Sequence, residues 1–240
     1  MGIRVPEEKP VPLFVRLAYM VNRLPRRSKT SRLSFLLDLE WLLGRLCHEE
    51  SFALFSREDH PLRQATVEFL ESVFPSRAVV LDIGSGSGDL TRMLARWAVS
   101  VVGVDNDRDC IEAAQEGRQP SNVQFLVGEA EECLASTDTK FDVVILSHVL
   151  EHLEDPVLLL EKASNQCDFV YLEVPDFESG PNNEYRRILK RPLNFSDADH
   201  LYEFDRVELE ALLGEANLRV LSTSHRLGML RFWCGSPRLL

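Results

Sequence analysis

Residues 79–88, VVLDIGSGSG, constrain the fold more than any other stretch. An apolar run leads into Asp82 and Ile83, and three glycines follow as Gly84-x-Gly86-x-Gly88. A short run that is apolar on both faces reads as a strand inside a parallel sheet, and the glycines as the tight turn after it. Leu90, Leu94 and Trp97 then recur at helical spacing on one face. A glycine turn between a strand and a helix N-terminus offers bare backbone N–H groups to an anion, and the helix dipole adds attraction. A second apolar run, residues 101–104, ends on Asp105, 17 residues past Gly88. At the tip of a neighbouring strand that carboxylate can accept both hydroxyls of a ribose.

A dinucleotide is one ligand for such a turn, and its fingerprint is G-x-G-x-x-G. Here that third position holds Asp89, which would repel a pyrophosphate, and the extra glycine comes one residue early. Asp82 ahead of the glycines suits a cationic neighbour instead. At these residues the chain resembles the class I S-adenosylmethionine-dependent methyltransferases, with residues 79–88 matching their first motif and Asp105 their second. The resemblance runs on through residues 123–130, 141–156 and 169–176, about two thirds of the chain. It implies S-adenosylmethionine as cofactor, held by Asp82, Gly84, Ser85, Gly86, Gly88, Asp105, Asn106, Glu129, Ala130 and Ser147. Glu129 stands where the family carries an acidic residue for the adenine amino group, more often Asp.

The rest of the chain bounds this reading. A length of 240 residues suits one methyltransferase domain, residues 61–240, behind an N-terminal helical extension or lid, residues 1–60. The net charge of −11 argues against broad nucleic-acid binding. Residues 1–48 nevertheless hold nine Lys/Arg against four Asp/Glu. The five cysteines show no C-x-x-C pairing, which suits reduced thiols and no zinc cluster. With charged residues near the N-terminus and no span long enough for a bilayer, the expectation is a cytoplasmic protein without membrane contact.

In chain order, helices are expected at residues 13–22, 34–46 and 61–74, the second carrying a broad leucine stripe. Between the first two lies a basic loop, residues 22–32, read as solvated or as a contact for an acidic surface. Strand–helix alternation follows, with a turn at residues 117–121 and a hairpin at residues 218–234. That pattern is a doubly wound α/β sheet, and the resemblance implies seven strands in the order 3-2-1-4-5-7-6 with the seventh antiparallel. An insertion at residues 177–200 clusters Arg186, Arg187, Lys190 and Arg191, either a phosphate clamp or the solvated face of a helix with Tyr185, Ile188 and Leu189 inward. Phe177, Tyr185, Phe195, Tyr202 and Phe204 around it would suit a ring or sugar face.

Methyl transfer to an acceptor that must lose a proton requires a base, so the histidines matter. His148, His152 and His200 are expected at the carboxyl edge of the sheet, and Glu151 shares a helical face with His148 and His152. His200 is expected to face the transferring methyl across the pocket from Glu151 and His152, there to take a proton from the acceptor or, while neutral, to ligate a metal. Two branches of the family, the ubiquinone-pathway O-methyltransferases and the small-RNA 3′-end 2′-O-methyltransferases, place Glu-x-x-Glu-His after the fourth strand and complete a divalent-metal site with a later histidine. Here His148 replaces the first glutamate, so a site of His148, Glu151, His152 and His200 could hold Zn²⁺, Mn²⁺ or Fe²⁺. Metal-free acid–base chemistry and a structural pair of histidines are the other readings. The expected function is O- or N-methylation of a small molecule such as a sugar or aromatic metabolite. Alternatives are a metal-dependent RNA 2′-O-methyltransferase and a catalytically silent cofactor-binding partner subunit, and the N-terminal helices are a candidate homodimer surface.

Overall fold

The computed structural model describes residues 13–23, 28–116, 119–136, 140–191, 197 and 199–239. The sequence expectations for the loop at residues 24–27, the start of the turn at residues 117–118 and Phe195 lie outside the described residues. Strands β1 (Ala78–Ile83), β2 (Ala98–Asp105), β3 (Val123–Val127), β4 (Phe141–Ser147), β5 (Cys167–Pro175), β6 (Arg219–Arg226) and β7 (Met229–Gly235) form one sheet. Their order is β3-β2-β1-β4-β5-β7-β6, the order that the resemblance implied. β1 to β5 pair in parallel, and β7 runs antiparallel to both its neighbours. β1 and β4 are buried on both faces, which is why they read as continuous apolar runs.

Side chains alternate between two cores. Leu81, Ile83, Val144, Leu146 and Leu172 pack on one face against α7 (Pro156–Gln166) and α9 (Arg206–Glu215). Val80, Val143, Ile145, Tyr171 and Trp233 pack on the other against α3 (Pro61–Val73) and α4 (Asp89–Leu94). The expected helix through Trp97 stops at Leu94, because β2 begins at Ala98 and the chain must turn first. Trp97 N–H donates to the Leu94 carbonyl at 3.0 Å, closing that turn. The crossover helices α5 (Arg108–Glu116) and α6 (Ala130–Ser136) complete the alternation.

The N-terminal helices are α1 (Leu13–Arg23) and α2 (Lys29–Leu54), and α2 is twice the expected length. Ser28 caps it by accepting from Ser31 N–H. The side of α2 that meets the domain is largely polar. Arg186, buried on α8 (Pro181–Ile188), donates to the Leu37 carbonyl at 2.8 Å and pairs with Glu40. Arg191 pairs with Asp38, and Arg45 with Asp197 at 2.7 Å. The insertion arginines are therefore no phosphate clamp: Arg186 and Arg191 hold α2, and Arg187 pairs with Glu184 on its own helix. The solvated-face alternative fails too, since Tyr185 and Ile188 are exposed while Arg186 is inward.

One buried ion pair locks α3 to the sheet. Arg231 on β7 donates to Glu173 on β5 at 3.0 Å, and Thr66 and Tyr171 hydroxyls also donate to that carboxylate at 2.8 and 2.6 Å. Removing one partner from such a pair strands a charge, at a cost of about 3–5 kcal/mol. Arg231→Met should therefore lower the urea midpoint sharply. Adding Glu173→Gln should recover most of that loss. An Arg231→Met protein as stable as its parent would contradict the pairing.

Candidate functional site

A cleft of about 630 Å³ opens at the carboxyl ends of β1, β4 and β5, the position at which doubly wound sheets bind ligands. Asp82, Gly84, Ser85 and Gly86 line it from the end of β1 and the turn after it, and Ser147, His148, His152 and His200 from the end of β4 and the segments beyond. His48 and Phe52 of α2, with Arg57, His60 and Arg63, line it from the N-terminal side.

The glycine turn is bolted to β2. Gly84 and Ser85 N–H groups both donate to the Val104 carbonyl, at 2.8 and 3.0 Å, and Gly86 N–H donates to Asp105 Oδ2 at 2.8 Å. Gly84 has φ +69°, and a Cβ there would sit 2.6 Å from Val149 Cγ2. Gly88 has φ +80° and lies under the Phe125 ring, so it serves packing rather than the cleft wall. Ser85 Oγ is buried with no hydrogen-bond partner among the described residues, as befits a group that meets a ligand. Asp89, which sequence alone set against a pyrophosphate, is bound by Arg57 at 3.0 Å and Arg92 at 2.9 Å.

Asp105, Asn106, Glu129 and Ala130 cluster at the tips of β2 and β3, beside the turn and outside the cleft lining. Asp105 Oδ1 also accepts from Asp107 N–H at 2.9 Å, and Asn106 Nδ2 lies 3.4 Å from both Glu129 oxygens. Asp82 is 2% exposed at the end of β1. Burial pushes its carboxyl pKa up to about 6, only partly offset by the Thr91 hydroxyl that donates to it at 2.6 Å.

At the end of the neighbouring strand His148 sits in left-handed backbone, φ +57°, just past β4. Its N–H donates to the Glu173 carbonyl at 2.8 Å, which holds this conformation. Its Nδ1 lies 3.1 Å from Glu151 Oε1. Burial lowers the imidazole pKa, but the Glu151 hydrogen bond and the charges of Glu173 and Glu151 outweigh it, and the net shift is upward. Glu151 is fully buried in the single 3₁₀ turn Leu150–His152, and its Oε2 has no partner among the described residues. The expected α-helical face is thus absent: His148 and His152 flank Glu151 from different backbone conformations.

His200 stands beside His152 and not across the pocket from it, their ring centroids 4.8 Å apart. The cause is local. Leu201 and Tyr202 N–H groups both donate to the Glu151 carbonyl, at 2.7 and 3.2 Å, which pins the returning insertion to the 3₁₀ turn. His200 Nδ1 is 3.0 Å from Glu203 Oε1, and His152 Nδ1 is 3.5 Å from Asp199. One ligand atom each from Glu151, His152 and His200 lies within 4.8 Å of the others, whereas His148 is outside that set. Asp197, Asp199 and His200 form a second such group. Among the described residues the aromatics of and after the insertion do not line this cleft: Phe177 and Tyr202 line a separate one beside α8, Tyr185 is exposed, and Phe204 is buried.

Sequence reasoning missed His48, Phe52 and His60. The Phe52 and His60 rings stack at 4.3 Å, and His48 meets Phe52 edge-on at 5.0 Å. The signal was the i, i+4 pair His48 and Phe52, on the face of α2 opposite its leucines.

Asp82 makes a direct test of this geometry. Above pH 6 the fold holds an ionised carboxylate whose ordinary pKa is 3.8, a cost of about 3 kcal/mol. The cost vanishes as pH falls below 3.8, where both states are protonated. Asp82→Asn keeps the Thr91 contact, so it should raise the urea midpoint at pH 8 and leave it unchanged at pH 3.5. An equal gain at both pH values would contradict the buried charge.

Comparisons with known proteins agree with the fold. The profile of the family described as "Methyltransferase domain" matches residues 55–223. The ubiquinone biosynthesis O-methyltransferase of Azorhizobium caulinodans is 41% identical over 91 residues, 37% of this chain and 36% of that protein. The mitochondrial enzyme of the same name from Schizosaccharomyces pombe is 33% identical over 160 residues, 61% of this chain and 54% of that one. The chain thus spans about a quarter to a half of the curated relatives compared with it. Among solved structures, an S-adenosylmethionine-dependent methyltransferase from Archaeoglobus fulgidus superposes with TM-score 0.58 at 19% identity, covering 80% of this chain and 99% of its own. Magnesium protoporphyrin IX methyltransferase from Synechocystis, solved with bound S-adenosylhomocysteine, gives 0.56 at 17% identity, covering 84% and 98%. No helix among the described residues is long and apolar enough to cross a membrane.

Proposed function

The chain belongs to the methyltransferase domain family, and on that premise we propose that it methylates a hydroxyl of a small, ring-bearing acceptor with S-adenosylmethionine as donor. The observation that carries this reading is the single cleft in which a glycine turn and a buried acid face an imidazole backed by a buried carboxylate. When bound, S-adenosylmethionine supplies an electrophilic methyl on a positively charged sulfur. Asp82 and Ser85, both unsaturated in hydrogen bonding, suit its amino and carboxylate groups. Asp105 retains lone pairs for the ribose hydroxyls, and Glu129 stands one strand further for the adenine. Phe52 and His48 offer faces on which an aromatic acceptor can stack.

His148 is the general base of this proposal. Glu151 holds Nδ1 and leaves Nε2 as the basic atom, and the ring lines the cleft. As the acceptor oxygen attacks the methyl, its proton passes to Nε2, and Glu151 stabilises the imidazolium. The described residues of the N-terminal extension act as the lid, through His48 and Phe52 on one side and the Arg57 bond to Asp89 on the other. The residues also fit a divalent ion: the orphaned, buried Oε2 of Glu151 and one nitrogen each of His152 and His200 would hold it. Such an ion would act as a Lewis acid on the acceptor oxygen. The names of the two curated relatives described above, both ubiquinone biosynthesis O-methyltransferases, support oxygen as the accepting atom.

Transfer of labelled methyl to catechol-type acceptors tests this. With the His148 pKa above 6.5, the base is neutral only above that pKa, so the rate should rise with pH through it and then level off. His148→Ala should cut kcat about a hundredfold, remove that limb of the pH profile, and leave cofactor affinity nearly unchanged. Full turnover in His148→Ala would overturn the assignment of the base.

A further inference from the structure

The outer face of α2 carries a seam that the domain does not use. Leu36, Leu39, Leu43 and Leu46 recur at spacings of three and four along it, flanked by Phe35 and Leu42, and all six are 39–59% exposed. Of the residues of α2, only Leu37 is buried, on the opposite side. The leucines of α1, Leu13 and Leu17, are exposed as well, so they do not cover the seam of α2. A leucine stripe of this width is the a/d pattern by which one helix packs against another. Left in water, it is an interaction surface.

The ends of the seam say what covers it. The same heptad positions continue to Arg32 at one end and Glu50 at the other, giving Arg32, Leu36, Leu39, Leu43, Leu46, Glu50. Pair this helix with an antiparallel copy about a two-fold axis near residue 41. Leu36 then meets Leu46, Leu39 meets Leu43, and Arg32 meets Glu50, each twice. A parallel pair would set Arg32 against Arg32 and Glu50 against Glu50. The pattern is therefore complementary to its own reverse, the requirement of an isologous dimer. We propose that α2 is the interface of a homodimer in which two copies pair antiparallel through Leu36, Leu39, Leu43 and Leu46. The Arg32 and Glu50 charges at each end set the register more than the affinity, as exposed ion pairs do. The opposite side of the same helix carries His48 and Phe52 into the cleft, so the interface would steady the roof of both clefts.

Sedimentation equilibrium of the full chain at tens of micromolar tests this. The proposal expects twice the chain mass of 27.4 kDa. Leu39→Glu/Leu43→Glu should sediment as a monomer with an unchanged far-ultraviolet dichroism spectrum, because both side chains already face outward. Arg32→Glu and Glu50→Arg should each raise the dimer dissociation constant about tenfold, and the two together should restore it. Three results would overturn the proposal. One is a monomeric parent chain, whether free or recovered on anionic lipid vesicles. Another is a dimer that survives Leu39→Glu/Leu43→Glu. The third is a double charge swap no better than its single components.

Discussion

Strand β1 hydrogen-bonds to β2 on one side and to β4 on the other, and this pairing positions the candidate site. In register, Asp82 lies beside Gly103 and Ile145, and Ile83 beside Val104 and Leu146. The glycine turn can then donate twice to the Val104 carbonyl, while β4 runs one residue further and delivers Ser147 and His148 opposite it. Were β1 displaced by one residue, Asp82 would rotate to the other face of the sheet and lose Thr91. A parallel sheet buried on both faces resists such a slip, since every core contact would have to be exchanged at once.

Against that rigid frame, four of the charges that burial makes costly lie near the carboxyl ends of β1, β4 and β5. Asp82, Glu151, Glu173 and Arg231 are each at most 3% exposed. Glu173 and Arg231 neutralise one another and join α3 to the sheet. Glu151 is neutralised only in part, by His148. Asp82 accepts from the Thr91 hydroxyl and forms no ion pair among the described residues, with Arg63 the cation that acts on it from a distance. Asp82 and Glu151 thus keep acceptor capacity beside the cleft, Asp82 in its lining and Glu151 between two histidines that line it.

Much of this was legible in the sequence because it depends on near neighbours. The glycine turn, Asp105 at the next strand tip and the alternation of strands and helices follow from spacings of two, three and four residues. What stayed illegible depended on partners far along the chain. His200 stands beside His152 because Leu201 and Tyr202 bond the Glu151 carbonyl, a contact that no periodicity announces. Arg186 points inward because α2 offers it a carbonyl and Glu40, almost 150 residues earlier. The leucine stripe of α2 was visible, but its direction was not. The polar side of that helix satisfies the arginines of the insertion, so the apolar side is left facing out.

The identity of the group that completes Asp82 and Ser85 is decided most directly by isothermal titration. S-adenosylmethionine and S-adenosylhomocysteine should each bind one per chain with micromolar affinity, and Asp105→Asn should weaken both about tenfold or more. NADH should give no heat of binding. Saturable binding of NADH, with no heat from either sulfur compound, would contradict the assignment of the turn.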